Sequence, residues 1–236
     1  KDTSRGLGDV YKRQTESLKF IQWNLNSLSA HSFSRLSLLQ AYMVQHNLHI
    51  AAISESALSK KIPDSDIQIP GYNSIRFDLE NSDTHGGVII YHKNNMAVKN
   101  RTDLPTPQYT IILEISINRK KIFFIHSYRK AGQTPAQAKD FAKKFDELIE
   151  KISELDSYVT IVTGDFNAHH KDWYDKGVTD AIGVAFKEIF DNHCLKQMVN
   201  QPTYYNPGNP NSRTLVDLFA ISHPDLVMAN EIHPPL

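Results

Sequence analysis

Runs of apolar residues, separated by short polar segments, recur along the chain and define its predicted elements. Runs of this length that are rich in β-branched and aromatic residues and bounded by turn residues predict strands. The runs at 48–53 and 158–163 are mostly apolar and predict buried strands. The predicted strands cover residues 18–23, 48–53, 73–77, 87–92, 110–117, 121–127, 158–163 and 215–221.

Apolar residues at helical spacing predict three helices. Phe33, Leu36, Leu39 and Met43 place one helix at 32–46. A second, at 135–153, follows Thr134-Pro135, which supplies an N-cap and a first-turn proline. Its apolar stripe consists of Phe141, Phe145, Leu148, Ile149 and Ile152. A third helix is predicted at 182–194, and the proline- and glycine-containing stretch 57–72 is predicted to be a loop.

Strands that come in runs, interrupted by a few helices, favour an α/β (α+β) fold built from two packed sheets with helices outside, in four layers α/β/β/α. The pattern does not favour a doubly wound parallel sheet. Without repeats or linkers, residues 15–236 are predicted to form one domain. Residues 1–14 lack a clean periodicity, and we expect them to be a leader foreign to that domain.

Composition narrows the possible functions only slightly. The chain has 26 basic and 26 acidic residues and a formal net charge of +0, which neither favours nor excludes a nucleic-acid partner. The one cysteine, Cys194, excludes an internal disulfide and a cysteine-rich zinc site. No apolar run has the length of a transmembrane helix and no signal peptide is visible, so we expect no membrane partner and no secretion.

Polar residues of a chemically useful kind follow several predicted strands directly. Strand ends at one edge of a sheet converge, so residues that are distant in the sequence can share a site. Carboxylates and amide oxygens without cysteine suit a hard cation such as Mg²⁺ or Mn²⁺, which usually takes only one or two carboxylates. The candidates are Asn24, Asn26, Glu55, Tyr128, Asp165, Asn167 and Asp217.

Each candidate also has a structural interpretation. Asn24 and Asn26 could form turns, and Tyr128 could be a tyrosine at the edge of the core. Asp217 lies in an apolar strand, where a carboxylate is costly unless it is paired. For His169 and His170 the structural interpretation, a pair that shapes a loop, is preferred, because no zinc-type spacing is present.

Short motifs that occur in a fixed order along the chain make the candidates more specific. The sequence Ile21-Gln22-Trp23-Asn24-Leu25-Asn26-Ser27-Leu28 resembles the opening motif of the endonuclease/exonuclease/phosphatase superfamily, and Ile53-Ser54-Glu55-Ser56 resembles its metal-glutamate motif. Ser127-Tyr128-Arg129 is similar to its tyrosine motif. Gly164-Asp165-Phe166-Asn167-Ala168-His169-His170, followed by Trp173, resembles the longer form found in non-LTR retrotransposon endonucleases. Gln201-Pro202-Thr203 and Ser212-Arg213-Thr214-Leu215-Val216-Asp217 complete the order.

The resemblance implies a DNase I-like fold and a Mg²⁺- or Mn²⁺-dependent endonuclease. Glu55, helped by Asn24 and Asn26, would hold the cation. Asp165 would activate water, Asn167 and Tyr128 would donate to the phosphate, and Asp217 would hold a histidine. The implied role is to nick target DNA for a reverse transcriptase on the same polyprotein. The implied location is the nucleus at the point of action and the cytoplasm otherwise.

A loop between the last motifs is expected to contact DNA. Residues 204–211 are rich in Asn, Pro and Gly, which predicts a turn between two strands. In the resembling endonucleases a hairpin at this position reaches the DNA groove; a plain surface turn is the alternative. The predicted DNA-binding residues are Tyr204, Tyr205, Asn206, Asn209, Asn211 and Arg213.

Two departures from the superfamily pattern stand out. The tyrosine motif usually continues into prolines, whereas here it continues as Arg129-Lys130-Ala131-Gly132. The superfamily also ends its site with Ser-Asp-His, and His233 is not in that context. We therefore expect the domain to be C-terminally truncated, with Ser-Asp-His encoded shortly after Leu236.

Two other functions remain open at this stage. One is a phosphatase of the same superfamily that acts on a small phosphorylated molecule, against which the Asn-Ala-His-His run argues. The other is a truncated, inactive copy that only binds nucleic acid. A plasmid-nicking assay beside an inositol-phosphate release assay separates the three functions.

Overall fold

The computed structural model describes residues 17–79, 85–174, 176–205, 208–209 and 213–233. The predicted leader, residues 1–14, lies outside the described residues. The described residues include three α-helices: α1 (Ala30–Gln45), α2 (Pro135–Ser153) and α3 (Ala181–Asn192). The predicted loop at 57–72 contains one short 3₁₀ turn, Asp64–Ile67.

The first sheet has the strand order β1-β2-β4-β3, in which β1 and β2 are parallel and the other pairs antiparallel. Its strands are β1 (Phe20–Asn24), β2 (Ile50–Ser54), β3 (Tyr72–Phe77) and β4 (Val88–Lys93). Residues between β1 and β2 form α1, the helical crossover that a parallel pair requires.

The second sheet has six strands in the order β5-β6-β7-β8-β12-β9. The strands are β5 (Ala97–Asn100), β6 (Thr110–Ile117), β7 (Lys120–Tyr128), β8 (Val159–Asp165), β9 (Lys196–Gln197) and β12 (Asp217–Ile221). A separate hairpin joins β10 (Tyr204–Tyr205) to β11 (Arg213–Thr214).

The last long strand begins at Asp217, not at the predicted residue 215. The backbone N–H of Val216 donates to Thr203 Oγ1 (3.2 Å) and not to a neighbouring strand.

Three hydrophobic clusters define four layers, which confirms the predicted α/β/β/α sandwich. One cluster joins α1 to the outer face of the first sheet, and another joins α2 and α3 to the outer face of the second sheet. The third lies between the sheets and contains residues of both, such as Ile50 and Ala52 from β2, with Phe124 and Ile161 from β7 and β8. Burying this apolar surface is the main force that holds the sheets together.

Helix α2 begins and ends where the sequence predicts. Thr134 accepts from the Gln137 backbone N–H, and the Gln137 side chain accepts from the Thr134 backbone N–H, which together form a capping box. The predicted stripe, including Phe145, Leu148 and Ile152, is buried against the second sheet. Among the described residues, no helix is both long and apolar enough to cross a membrane.

Candidate active site at one edge of the sandwich

Strand periodicity determines where the site lies. Successive side chains of a strand point to opposite faces, so every second residue faces the opposing sheet. At one end these inner positions are apolar, as with Phe20 and Phe219 in the cluster between the sheets. At the other end the same faces continue into polar residues. The polar inner positions are Gln22, Asn24, Ser54, His126, Tyr128, Thr163, Asp165 and Asp217.

Three predicted catalytic residues are neighbours across the second sheet. Tyr128 pairs with Asp165 in the parallel ladder of β7 and β8, and Asp217 pairs with Asp165 in the antiparallel ladder of β12 and β8. Gly164 makes this spacing possible, since a Cβ at that position would lie 1.9 Å from the Ser127 carbonyl oxygen. The phenol and the two carboxylates therefore share one edge of the sheet.

Asn24 connects the two sheets at this edge. Its Nδ2 donates to Glu55 Oε1 (2.8 Å), which belongs to the first sheet's side, and to Asp165 Oδ2 (2.9 Å), which belongs to the second. Glu55 follows β2 with a φ of 51°, a left-handed conformation that is costly for a non-glycine residue and occurs often at functional sites. Glu55 and Asp165 are thus on the same side of the site.

Asn26 enters this arrangement through its backbone. Its N–H donates to Asn24 Oδ1 (3.0 Å), and its side chain is exposed. Arg35 on α1 donates to the carbonyls of Leu25 and Asn26, which holds the loop that follows β1. The observed contribution of Asn26 is to orient the Asn24 amide.

The carboxylates of the site are electrostatically coupled. Burial, and then the charge of Asp217, raise the pKa of Asp165 well above its ordinary value, while the hydrogen bond from Asn24 opposes this shift. Burial also raises the pKa of Asp217, against hydrogen bonds from Thr203 and Gln22. Burial and the charges of Glu55 and Asp165 raise the pKa of Tyr128, so its phenol keeps its proton.

Asn167 completes the second-sheet side of the site. Its φ is 46°, and its backbone N–H donates to Asp165 Oδ1 (3.2 Å). Its side-chain Nδ2 donates to the carbonyl of Arg129 (2.9 Å). One Nδ2 hydrogen is therefore engaged within the protein, which leaves the second for another acceptor.

Two polar contributors were not among the predicted site residues. Gln22 Nε2 donates to Asp217 Oδ1 (2.5 Å), and Thr203 Oγ1 accepts from the Asp217 backbone N–H (3.1 Å). Both lie in quoted motifs without an assigned role. The two-residue spacing of Gln22 and Asn24, which places them on one face of a strand, was the available signal for Gln22.

The histidines of the long motif form local contacts. His169 Nδ1 lies 2.9 Å from Asp180 Oδ2, and Asp180 is also the N-cap of α3. The His170 ring lies 5.5 Å from the Trp173 ring. These local contacts are of the kind expected for loop-shaping residues.

The predicted DNA-contact segment is a hairpin. Tyr204 and Tyr205 are about half exposed, at 49% and 48%, and the Arg213 guanidinium lies 5.3 Å from the centre of the Tyr205 ring. Asn209 is exposed. Asn206 and Asn211 lie outside the described residues, as do residues 234–236 next to the expected Ser-Asp-His motif.

The fold is a DNase I-like sandwich, and the edge site brings together the residues predicted from the motifs that resemble the endonuclease/exonuclease/phosphatase superfamily. Residues 122–235 match the family model described as endonuclease-reverse transcriptase. The resemblance predicted from the motifs is therefore confirmed. No curated protein sequence matches the chain significantly.

Solved structures with the same fold include three nucleic-acid enzymes. The endonuclease domain of TRAS1, a telomere-specific non-LTR retrotransposon, is 16% identical with a TM-score of 0.65, over 85% of this chain and 83% of that one. The AP endonuclease LMAP from Leishmania major is 15% identical with a TM-score of 0.71, over 86% and 78%. The 3′ phosphatase NExo from Neisseria, bound to a product DNA hairpin, is 16% identical with a TM-score of 0.63, over 87% of both chains.

Proposed function

We propose that the chain is a divalent-metal-dependent endonuclease that hydrolyses a phosphodiester bond of DNA. The observation that carries the proposal is the Asn24 side chain, which joins Glu55 to Asp165 across the two sheets. Two hydrogen bonds from Asn24 therefore link Glu55, a carboxylate suited to binding a metal, to Asp165, a carboxylate suited to act as a base. The match to the endonuclease-reverse transcriptase family model and the similar nuclease folds support the same activity.

The chemistry of the donor set fits a hard divalent cation. Glu55, Asp165 and Asp217 supply carboxylate oxygens, and no thiol lies among them. Burial, and then repulsion from Asp217 and Glu55, raises the pKa of Asp165, and a bound cation would relieve that repulsion. Within the described residues, no three His, Cys, Asp or Glu side chains form a ready-made metal cage. Mg²⁺ commonly binds one or two carboxylates and keeps several waters, so the carboxylate of Glu55 could serve as its protein ligand.

In this proposal Glu55 holds Mg²⁺ or Mn²⁺. Asn24 orients the Glu55 carboxylate, and Asn26 orients Asn24. When bound, the cation supplies positive charge that neutralises the phosphate and the leaving oxygen. Asp165 orients and deprotonates the attacking water. Asn167 and Tyr128 donate to the phosphate oxygens as charge develops on them.

Asp217 has a positioning role in the proposal. Its side chain accepts from Gln22, and its backbone N–H is held by Thr203. The superfamily resemblance implies that such an aspartate also holds a histidine that binds the phosphate. When ionised, the acidic pair of Asp217 and Asp165 would favour capture of a cation at this edge.

We further propose that the biological role is the one implied by the retrotransposon resemblance. The enzyme would nick one strand of target DNA in the nucleus, and a reverse transcriptase on the same polyprotein would extend the new 3′ hydroxyl. The retrotransposon endonuclease among the similar structures supports this role. The domain would comprise residues 15–236.

Nicking of a supercoiled plasmid tests the proposal. With Mg²⁺, the protein should convert supercoiled into open-circular DNA, and Asp165→Asn should lower the rate at least about 100-fold because the base is lost. Asp140→Asn is a matched control, because Asp140 is an exposed residue of α2 paired with Lys144. It should nick at the wild-type rate.

Parallel substrates separate the alternatives. Release of phosphate from an inositol phosphate without nicking would identify a small-molecule phosphatase. Release from a DNA 3′ phosphate alone would identify a phosphatase that acts on DNA ends. Retention of DNA without any hydrolysis would identify a binding protein. Each of these outcomes contradicts the endonuclease proposal.

A further inference from the structure

A buried arginine lies directly behind the candidate site, at the position where the tyrosine motif departs from the superfamily's prolines. Arg129 is only 6% exposed. Burial lowers the pKa of its guanidinium, and the charges of Asp180 and Asp165 oppose this shift. A guanidinium in such a place is costly unless its donors are satisfied.

The donors of Arg129 are directed at the turn that carries Asp165 and Asn167. Nε donates to the Phe166 carbonyl (2.6 Å), and Nη2 donates to the Asn167 carbonyl (2.5 Å). Nη1 donates to Gln133 Oε1 (3.1 Å). In return, the Arg129 carbonyl accepts from Asn167 Nδ2 (2.9 Å). The Arg129 side chain therefore binds the main chain of the turn, and the Asn167 side chain binds the main chain of Arg129.

The planar peptide between Phe166 and Asn167 transmits this contact to the site. In a trans peptide the carbonyl and the N–H point in opposite directions. Fixing the Phe166 carbonyl on Arg129 therefore fixes the Asn167 N–H, which donates to Asp165 Oδ1 (3.2 Å). The left-handed φ of 46° at Asn167 needs such external support.

We propose that Arg129 is a positioning residue for the endonuclease reaction, which fixes the turn so that Asp165 and Asn167 keep their working orientation. A proline cannot make these contacts, because it has no donor. A lysine cannot replace the fork either, because its ammonium cannot reproduce the planar geometry that spans two carbonyls. The proposal rests on the proposed function and adds a residue to its machinery.

Kinetics of Arg129→Lys give the first test. Because small misplacements of reacting groups cost about 100-fold in rate, we expect kcat for plasmid nicking to fall about 10- to 100-fold. KM for DNA and the affinity for Mg²⁺ should stay unchanged, because the Arg129 side chain is buried and bonds to the turn and to Gln133, not to Glu55. Arg101→Lys is the matched control. Arg101 is another buried arginine, bound to Asp103 and Glu114, and its substitution should leave kcat unchanged.

Amide hydrogen exchange measured by NMR gives a second test that does not need activity. The Asn167 backbone N–H should be protected in the wild type and in Arg101→Lys, and should exchange at least about tenfold faster in Arg129→Lys. Unchanged Asn167 protection, or unchanged kcat in an active protein, would overturn the proposal. A wild type that nicks nothing would refute the proposed function instead, while the exchange result still decides the role of Arg129.

A milder variant covers the case in which Arg129→Lys does not fold. Gln133 is only partly buried, so Gln133→Leu should keep the fold while removing the nearer of the two acceptors of Nη1, the other being the Lys130 carbonyl. We expect a fall in kcat of about threefold and faster exchange at Asn167, consistent with the loss of one neutral-acceptor hydrogen bond. No change in either quantity would count against the proposal.

Discussion

Single side chains between the sheets decide how firmly the site is held. His126 is fully buried, with Nε2 3.2 Å from Ser54 Oγ and Nδ1 3.2 Å from Thr163 Oγ1. His126, on β7, thereby connects β2 to β8. Its partner Ser54 lies one residue before Glu55, and its partner Thr163 lies two residues before Asp165. Both bonds are compatible with a neutral imidazole, which donates with one nitrogen and accepts with the other.

The burial of His126 predicts a specific loss of stability in acid. Burial lowers its pKa from 6.5 to about 4. The unfolded chain therefore binds a proton below pH 6.5 that the folded protein takes up only near pH 4. Stability contributed by neutral His126 is present above pH 6.5 and is lost as the pH falls towards 4, by about 3 kcal/mol.

Urea unfolding at several pH values measures this effect. Between pH 7 and pH 4 the wild type should lose about 3 kcal/mol more of its free energy of unfolding than His126→Gln, which cannot titrate. Comparing the two proteins cancels the contribution of the raised carboxylate pKa values, which acts in the opposite direction. The same pH dependence in both proteins would show that His126 is not held neutral.

At the scale of elements, the β10–β11 hairpin is the best candidate for contact with DNA. It begins directly after Thr203, which holds Asp217, and the Thr203 N–H donates to the Thr214 carbonyl (2.9 Å). Its exposed Tyr204 and Tyr205, with Arg213 over one ring, offer surfaces for stacking and for a phosphate. The hairpin is anchored beside Asp217 but supplies none of the proposed catalytic residues. We therefore expect it to affect which DNA sites are bound and not the chemical step.

Replacing both Tyr204 and Tyr205 by alanine should therefore change target choice. We expect a different pattern of nicks on a labelled duplex and weaker DNA binding, by about 1–3 kcal/mol for each stacked base lost. Metal affinity should not change. Tyr158→Ala is the control, because Tyr158 is also exposed (37%) but precedes β8 at the strand end away from Asp165. An unaltered pattern in the hairpin variant would exclude this role.

For the whole molecule, local patterns predicted most of the fold. The apolar runs gave the strands that carry the site, and the Thr134-Pro135 start gave α2 its observed bounds, because caps and stripes are local properties. Strand β5 was not predicted, since it is largely exposed and shows no apolar run. Strand β9 has only two residues and depends on β12, a partner distant in the sequence. Strands β10 and β11 flank the predicted turn at 204–211.

The site was predictable where motifs follow strands, and not where it depends on the opposing sheet. Glu55, Asp165 and Asn24 follow or end apolar runs, so their positions at strand ends can be predicted from the sequence. His126 looks like part of an apolar strand, and Arg129 looks like a surface cation after one. Their roles arise from acceptors on β2, β8 and the following turn, which only the packed structure brings within reach.

Calorimetric titration with Mn²⁺ and Mg²⁺ tests the central claim, a divalent-metal site at the edge where the sheets meet. The account predicts saturable binding to the wild type, at least tenfold weaker binding to Glu55→Gln, because one charged ligand is lost, and wild-type binding to Glu147→Gln. Glu147 is an exposed residue of α2 paired with Lys143. Equal affinity of Glu55→Gln and the wild type would contradict the account.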